Sequence, residues 1–132
     1  MKFEKAHAFC ATLPETVAEH KWGKDVSWTL DRRMFAHFAA DDGGQLKGMM
    51  LPVGRSRFLE LTDQRGFGPA PYLARAHWVS VTDRKLIADV LILSLLARAY
   101  RLTAAKLTKK KQRELAERHR KFDFAFGDDA RD

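Results

Sequence analysis

Cysteine and long apolar runs are both scarce in this sequence. Cys10 is the one cysteine among 132 residues, so no disulfide can form within the chain, and a reducing compartment suits it. It lies in the helix-like run EKAHAFCATL, where we expect a small buried apolar side chain. The most apolar segment, residues 86–97, is too short to cross a bilayer and contains Asp89. Because the N-terminus contains Glu4 and lacks the apolar stretch of a signal peptide, we predict a cytoplasmic protein without membrane contact.

Recognised catalytic and metal-binding motifs are also missing. The sequence has no glycine-rich phosphate loop, no zinc-ligand spacing and no nucleophile paired with a base. His20 and His37 can fall on neighbouring strands, but neither has a second ligand at a metal-binding spacing. We therefore expect no metal, no cofactor and no enzymatic activity.

Acidic residues are few in one part of the chain, and this uneven charge is its clearest functional signal. Residues 84–121 contain 12 Lys and Arg against 3 Asp and Glu, whereas residues 1–83 contain 11 against 10. Residues 122–132 reverse the sign, with one Arg against 4 Asp, and the whole chain has a net charge of +7. Such a concentration of positive charge favours a polyanion or an acidic protein as partner.

The first half of the sequence predicts one helix followed by a series of strands. Pro14 ends a helix over residues 2–12. Four segments are then predicted as strands: TVAEHKW, VSWTL, MFAHFAA and QLKGMML. VSWTL alternates apolar and polar residues, as a half-buried strand does. Short turns at Asp31 and Arg32 and at residues 41–44 join the later ones, so an antiparallel meander is expected. The inward face of the helix has helical spacing and comprises Phe3, Ala6, Phe9, Cys10 and Leu13.

The second half predicts a short helix, one more strand and a long helix over the sheet. RSRFLELTDQRG is typical of the short helix, FGPAP of a rigid connection with few hydrogen bonds, and HWVSVTD of a fifth strand. The expected fold is α+β, one domain over residues 1–121 in the order α-β-β-β-β-α-β-α, with a Phe-rich acidic tail at 122–132. The long helix begins near residue 84, and its apolar stripe is predicted to be Leu86, Val90, Leu93, Ala97, Tyr100, Ala104 and Leu107.

Four segments, in their order and spacing, carry a family resemblance. LPETVAEHKWGKD, RRMFAHF, FGPAPYLARAHWVSV and LARAYRLTAAKLTKKKQREL resemble the MmcQ/YjbR family of small bacterial proteins over roughly residues 3–115. The resemblance implies an antiparallel sheet covered by helices, similar to type III secretion chaperones. It also implies DNA binding in a proposed double-wing arrangement, and no established catalytic reaction.

This chain departs from the usual family pattern at two positions. Asp31, Arg32 and Arg33 stand where many relatives have a GGK turn, and they keep the hairpin tip basic. Thr108 stands where relatives often have proline. The second departure leaves open whether the long helix continues through Thr108 or breaks there.

The C-terminal basic segment is the first candidate site. If residues 106–121 form one helix, five cations fall within an arc of roughly 100°, opposite Leu115 and interrupted by Glu117. Together with Arg32 and Arg33 they can contact phosphates of a nucleic acid. A solvated helix end without a ligand is the competing interpretation. The five cations are Lys106, Lys109, Lys110, Arg113 and Arg120.

The segment around Arg75, His77 and Trp78 is the second candidate site, and it has two interpretations. Arg75 can hold a phosphate and Trp78 can stack on an unpaired base, which would make the segment part of a nucleic-acid interface. Alternatively, Trp78 fills the gap between sheet and helix while His77 bonds to a backbone carbonyl. The sequence leaves both interpretations open.

The leading functional hypothesis is a non-enzymatic DNA-binding protein that contacts the phosphate backbone with low sequence specificity. The alternative is a protein-interaction module in which Phe122, Phe124 and Phe126 anchor a partner chain or a second copy. A third hypothesis, a small-ligand role, requires a polar pocket near His77.

Overall fold

One antiparallel sheet of six strands forms the centre of this computed structural model, which describes residues 2–20 and 23–124. The strand order across the sheet is β1-β2-β3-β4-β6-β5, and every neighbouring pair is antiparallel. The α+β class with helices covering an antiparallel sheet is confirmed. The strands are β1 (Thr16–Glu19), β2 (Val26–Leu30), β3 (Arg33–Ala40), β4 (Leu46–Pro52), β5 (Phe67–Pro69) and β6 (Trp78–Val81).

Four α-helices lie within the described residues. They are α1 (Phe3–Cys10), α2 (Arg55–Thr62), α3 (Asp89–Ala104) and α4 (Lys109–Arg118). Single 3₁₀ turns at Ala74–Ala76 and Arg84–Leu86 flank β6. None of the helices in the described part of the chain is both long and apolar enough to span a lipid bilayer.

The predicted meander is present, and β5 is an addition to it. In the β2–β3 turn, Asp31 and Arg32 both have positive φ, 49° and 70°, as the favoured two-residue hairpin turn requires. The FGPAP segment was predicted to be a connection with few hydrogen bonds, which is wrong for its first half. Phe67–Pro69 pairs with β6 at the sheet edge, where Pro69 costs no ladder hydrogen bond. Three residues are too few to show an alternating pattern in the sequence.

The long C-terminal helix breaks after Ala104, and Thr108 starts a new one. Thr108 has extended backbone angles, and its Oγ1 accepts a hydrogen bond of 3.1 Å from the Lys111 N–H, as an N-cap residue does. The Gln112 side-chain amide donates to the carbonyls of Ala105 and Leu107 at 3.0 and 2.9 Å. Because these bonds satisfy carbonyls that the break leaves free, two separate helices form, and of the two alternatives that the sequence left open the structure has the break.

The buried face of α3 differs from the predicted stripe at its N-terminal end. Val90 is 77% exposed and Leu86 is 49% exposed, whereas Tyr100 and Ala104 are buried as predicted. Nearly every residue from 90 to 97 is apolar, so several stripes fit the sequence equally well, and packing against the sheet selects one of them. The side chains that α3 buries are Ile92, Leu95, Leu96, Ala99, Tyr100, Leu102, Thr103 and Ala104.

The α1 helix packs its apolar face on the core, as its hydrophobic pattern predicts. Phe3, Ala6, Cys10 and Leu13 are buried, and Cys10 is completely covered. Burial raises the pKa of the Cys10 thiol to about 12, so the thiolate is not formed at neutral pH. Prediction and structure agree that this cysteine acts as an apolar side chain.

The first residues of the Phe-rich tail belong to the core. The rings of Phe122 and Phe124 lie 5.4 and 6.1 Å from the Tyr100 ring, and Phe124 is only 5% exposed. Arg101 Nε also donates to the Asp123 carbonyl at 2.9 Å. The packed domain therefore runs at least to residue 124, past the predicted boundary at residue 121, while Phe126 lies outside the described residues.

Ion pairs at both ends fasten α4 to the sheet. Near its start, Lys111 Nζ lies 2.8 Å from Asp31 Oδ2 in the β2–β3 turn. Near its end, Arg118 donates two hydrogen bonds of 2.6 and 2.9 Å to the Glu15 carboxylate, and His119 Nε2 lies 2.8 Å from the same group. Between these contacts Leu115 is buried in the core. Apolar packing and paired charges thus fix which side of α4 faces the body.

Glu15 gives this attachment a pH dependence. The hydrogen bonds from Arg118, followed by those from His119, hold the pKa of Glu15 below its usual 4.5. The stabilisation is therefore fully present above pH 4.5 and is lost as the pH falls through the lower folded-state pKa. We expect Glu15→Gln to lower the urea midpoint at neutral pH, and the difference from wild type to vanish in acid. Glu117→Gln, an exposed acid on the same helix, is the control; equal effects of both would contradict this role.

Phe124 is expected to contribute to the stability of the single chain. Phe124→Ala removes a ring that packs on Tyr100 and Phe122, and should lower the free energy of unfolding by about 3 kcal/mol. Urea unfolding at two protein concentrations measures this. The loss should be independent of concentration; a loss seen only at high concentration would show that the ring acts between chains.

Candidate nucleic-acid interface

The α4 helix divides its cations between two faces. Lys109, Lys110 and Arg113 are exposed on the side away from the core, while Lys111 and Arg118 reach carboxylates of the body. Lys109 and Arg113 are one helical turn apart and therefore neighbours on the surface. The outward face of α4 thus carries three cations, with the exposed carboxylate of Glu117 beside them.

The break at Thr108 corrects the predicted single arc. Lys106 precedes α4 and Arg120 follows it, so neither shares a helical face with Lys109. Both side chains are nevertheless exposed, as are the other three predicted cations. The five charges reach solvent from three successive segments instead of one continuous helix.

Most of these cations have no carboxylate partner among the residues that the structure describes. Lys110 lies 3.9 Å from Glu114, at the outer limit of an ion pair. Within the described ranges, no carboxylate lies at ion-pair distance from Lys106, Lys109, Arg113 or Arg120. Their charge is therefore available to an external anion.

The β2–β3 turn holds two more exposed cations near α4. The Asp31–Lys111 pair holds the turn beside α4, and Arg32 lines a groove of about 380 Å³ between them. Arg32 and Arg33 are both exposed. We call the seven exposed cations the basic surface; they are Arg32, Arg33, Lys106, Lys109, Lys110, Arg113 and Arg120.

Trp78 occupies a packing position. It is 7% exposed at the start of β6, opposite Pro52 of β4, so most of its ring is covered and it offers no open surface for stacking on a base. His77 has a left-handed backbone with φ of 61°, and its ring makes an edge contact with Phe58 at 5.6 Å. Arg75 is exposed on the 3₁₀ turn before it. The packing interpretation therefore fits Trp78, and only Arg75 of this segment is free to meet a phosphate.

Tyr72 is an exposed aromatic that sequence reasoning missed. Its side chain is fully exposed, at 104% of the reference area, and its backbone φ is 65°. Few non-glycine residues adopt this left-handed conformation. The residue lies on the loop that leads to Arg75, and its signal in the sequence is an aromatic beside Pro71 in a segment without alternation.

The second candidate segment and the basic surface meet at a small cavity, which residues of both line. It has a volume of about 160 Å³ and is lined by His77, Trp78 and Lys106, among others. The polar pocket near His77 that the third hypothesis requires is therefore present. Sequence spacing could not show it, because Lys106 and His77 come from separate elements.

His37 is occupied by partners within the sheet. Its Nδ1 lies 2.9 Å from Ser27 Oγ, and its Nε2 lies 3.2 Å from Asp25 Oδ2. His20 Nδ1 instead contacts the Asp25 carbonyl at 3.1 Å. Ser27 is only 3% exposed, so this Ser-His-Asp chain has no access to a substrate. Across the part of the chain that is described, no three His, Cys, Asp or Glu side chains converge as metal ligands.

Comparisons with known proteins agree with this architecture. A solved Deinococcus radiodurans protein with a DUF419 domain has a TM-score of 0.75 and 24% identity, covering 87% of this chain and 88% of its own. A Pseudomonas syringae protein has a TM-score of 0.65 and 17% identity, with coverages of 78% and 99%. At these identities both show the fold alone, and no curated protein matches. The YjbR family model matches residues 11–102, which is more than half of the sequence, and the chain therefore belongs to the YjbR family.

Proposed function

We propose that this protein is a non-enzymatic DNA-binding module that grips the phosphate backbone with its basic surface. The observation that carries the proposal is the division of charge on α4. Lys111 and Arg118 neutralise Asp31 and Glu15, whereas Lys109 and Arg113 face solvent and have no ion-pair partner in residues 2–20 and 23–124. Cations that attach the helix to its own domain are not available to bind a ligand. Those that remain supply a positive potential along one outward surface.

Release of counterions from DNA is the physical source of affinity. Each Lys or Arg that neutralises a phosphate frees a condensed cation, so binding falls steeply as salt rises. Phosphate contacts carry no direct information about base sequence, and the flexible lysine stems adapt to many backbone positions. We therefore expect low sequence specificity and a Kd on the order of 10⁻⁴ to 10⁻⁶ M at physiological salt.

The Arg75 loop extends the proposed interface. Arg75 is exposed, and the cavity that His77 lines also includes Lys106, so this loop borders the basic surface. Arg75 then adds one more phosphate contact, and the buried Trp78 ring anchors the loop in the core. Exposed Tyr72 is the side chain of this loop that can stack on an unpaired base.

Substitutions on α4 test the proposal with a control on the same helix. Lys109→Gln and Arg113→Gln should each weaken binding to a duplex oligonucleotide and reduce the slope of log K against log salt by about 1. Lys111→Gln removes an identical charge, but its ammonium is already paired with Asp31, so the slope should stay unchanged. Fluorescence anisotropy at several salt concentrations measures all three.

Two outcomes would contradict this proposal. Wild-type protein that fails to bind duplex or single-stranded DNA at low salt would eliminate it. Equal changes of the salt slope in Lys109→Gln and Lys111→Gln would show that net charge, not the unpaired row on α4, determines binding.

Tyr72 is expected to matter for single strands only. Tyr72→Ala should weaken binding to a single-stranded oligonucleotide by about 1 kcal/mol, roughly fivefold, because a stacked base loses its platform. Duplex binding should be unchanged, and Tyr72→Phe should retain the wild-type affinity. A loss in Tyr72→Phe as large as in Tyr72→Ala would rule out stacking as the cause.

A further inference from the structure

The cavity beside β6 has mixed walls, partly apolar and partly polar, and Lys106 is among the residues that line it. Met34, Trp78 and Leu102 contribute apolar walls to its volume of about 160 Å³. Trp78 and Leu102 are themselves at most 9% exposed, so these walls are held rigidly by the core. Lys106 lines the same cavity and is exposed, which puts its ammonium at the solvent side.

The polar groups of this cavity favour an anion. No residue that lines it carries a carboxylate, and Lys106 has no carboxylate partner anywhere in the described ranges. The Thr103 hydroxyl already donates to the Ala99 carbonyl at 2.9 Å. His77 makes a ring contact with Phe58, and among the residues the structure describes its ring nitrogens have no hydrogen-bond partner. Lys106, His77 and the indole N–H of Trp78 therefore remain as the side-chain groups that can donate to a ligand.

The size of the cavity limits the apolar part of that ligand. A cavity of about 150 Å³ lined by apolar side chains in another protein accommodates a benzene ring. The present cavity is of the same size, although it opens to solvent beside Lys106. A single ring or a short branched chain fits its walls, and a charged group attached to that body would reach the ammonium.

We propose that this cavity binds a small organic carboxylate, with its apolar body against Met34, Trp78 and Leu102 and its carboxylate between Lys106 and His77. An ammonium–carboxylate hydrogen bond is stronger than a neutral one, and apolar contacts on the walls add affinity that a free inorganic anion cannot obtain. The proposal does not depend on DNA binding, because only Lys106 is shared with the basic surface.

Benzoate is the probe, and NMR chemical-shift titration of the ¹⁵N-labelled full chain is the measurement. We expect saturable shifts at Trp78 and His77, with a Kd of about 1 mM or tighter. Benzyl alcohol tests the need for the charge, and inorganic phosphate tests the need for the apolar body. Both should bind about tenfold more weakly than benzoate or not at all.

Two variants separate this site from general surface charge. Lys106→Met should weaken benzoate binding about tenfold, because the exposed ammonium is replaced without disturbing the walls. Lys109→Met removes the same charge from α4, outside the cavity, and should leave the benzoate Kd unchanged. The two side chains are both exposed, so both variants are expected to fold.

Four results would overturn the proposal. They are an absence of localised shifts up to the solubility limit of benzoate, equal binding of benzyl alcohol, equal binding of phosphate, and equal losses in Lys106→Met and Lys109→Met. The first would show that the cavity takes no such ligand, and the others would show that the charge, the apolar body or the location is wrong.

Discussion

The break between α3 and α4 is the constraint on which the functional surface depends. Thr108 caps α4, and the Gln112 amide satisfies the carbonyls of Ala105 and Leu107, so the chain can change direction without leaving buried polar groups unpaired. A helix that ran straight through this point would follow the axis of α3. With the break, α4 folds back so that Leu115 enters the core and the opposite face meets solvent.

Charge on α4 serves two purposes that sequence position does not distinguish. Lys111 and Arg118 attach the helix to Asp31 and Glu15, which lie on the two turns that flank β1 and β2. Within the described residues, Lys109 and Arg113 of the same helix have no such partner. Exposed ion pairs of this kind stabilise a fold only weakly, so Leu115 supplies most of the attachment and the pairs fix its orientation. The break between α3 and α4 also leaves Lys106 at the cavity that His77 and Trp78 line.

The elements best predicted from the sequence are those whose hydrophobic pattern allows only one buried face. The strand VSWTL and the apolar face of α1 have clear periods, and both elements form where predicted, although Ser27 and Thr29 of the strand are buried as well. The N-terminal half of α3 is apolar on every side, so its buried face was assigned to Val90 although Ile92 occupies the core. β5 was missed because three residues carry no period. The sequence left open whether Phe122 and Phe124 pack on their own domain or on a second chain, and both rings pack on Tyr100.

By itself the sequence determined the fold class, the burial of Cys10 and the concentration of positive charge near the C-terminus, because composition and periodicity are local properties. Only the tertiary structure decided which of those charges are free. Lys109 and Lys111 are two positions apart and chemically identical, yet one faces solvent and the other faces Asp31. Likewise Lys106 and His77 become neighbours of one cavity through packing of distant elements. Such pairings depend on contacts between segments far apart in the chain, which no local pattern encodes.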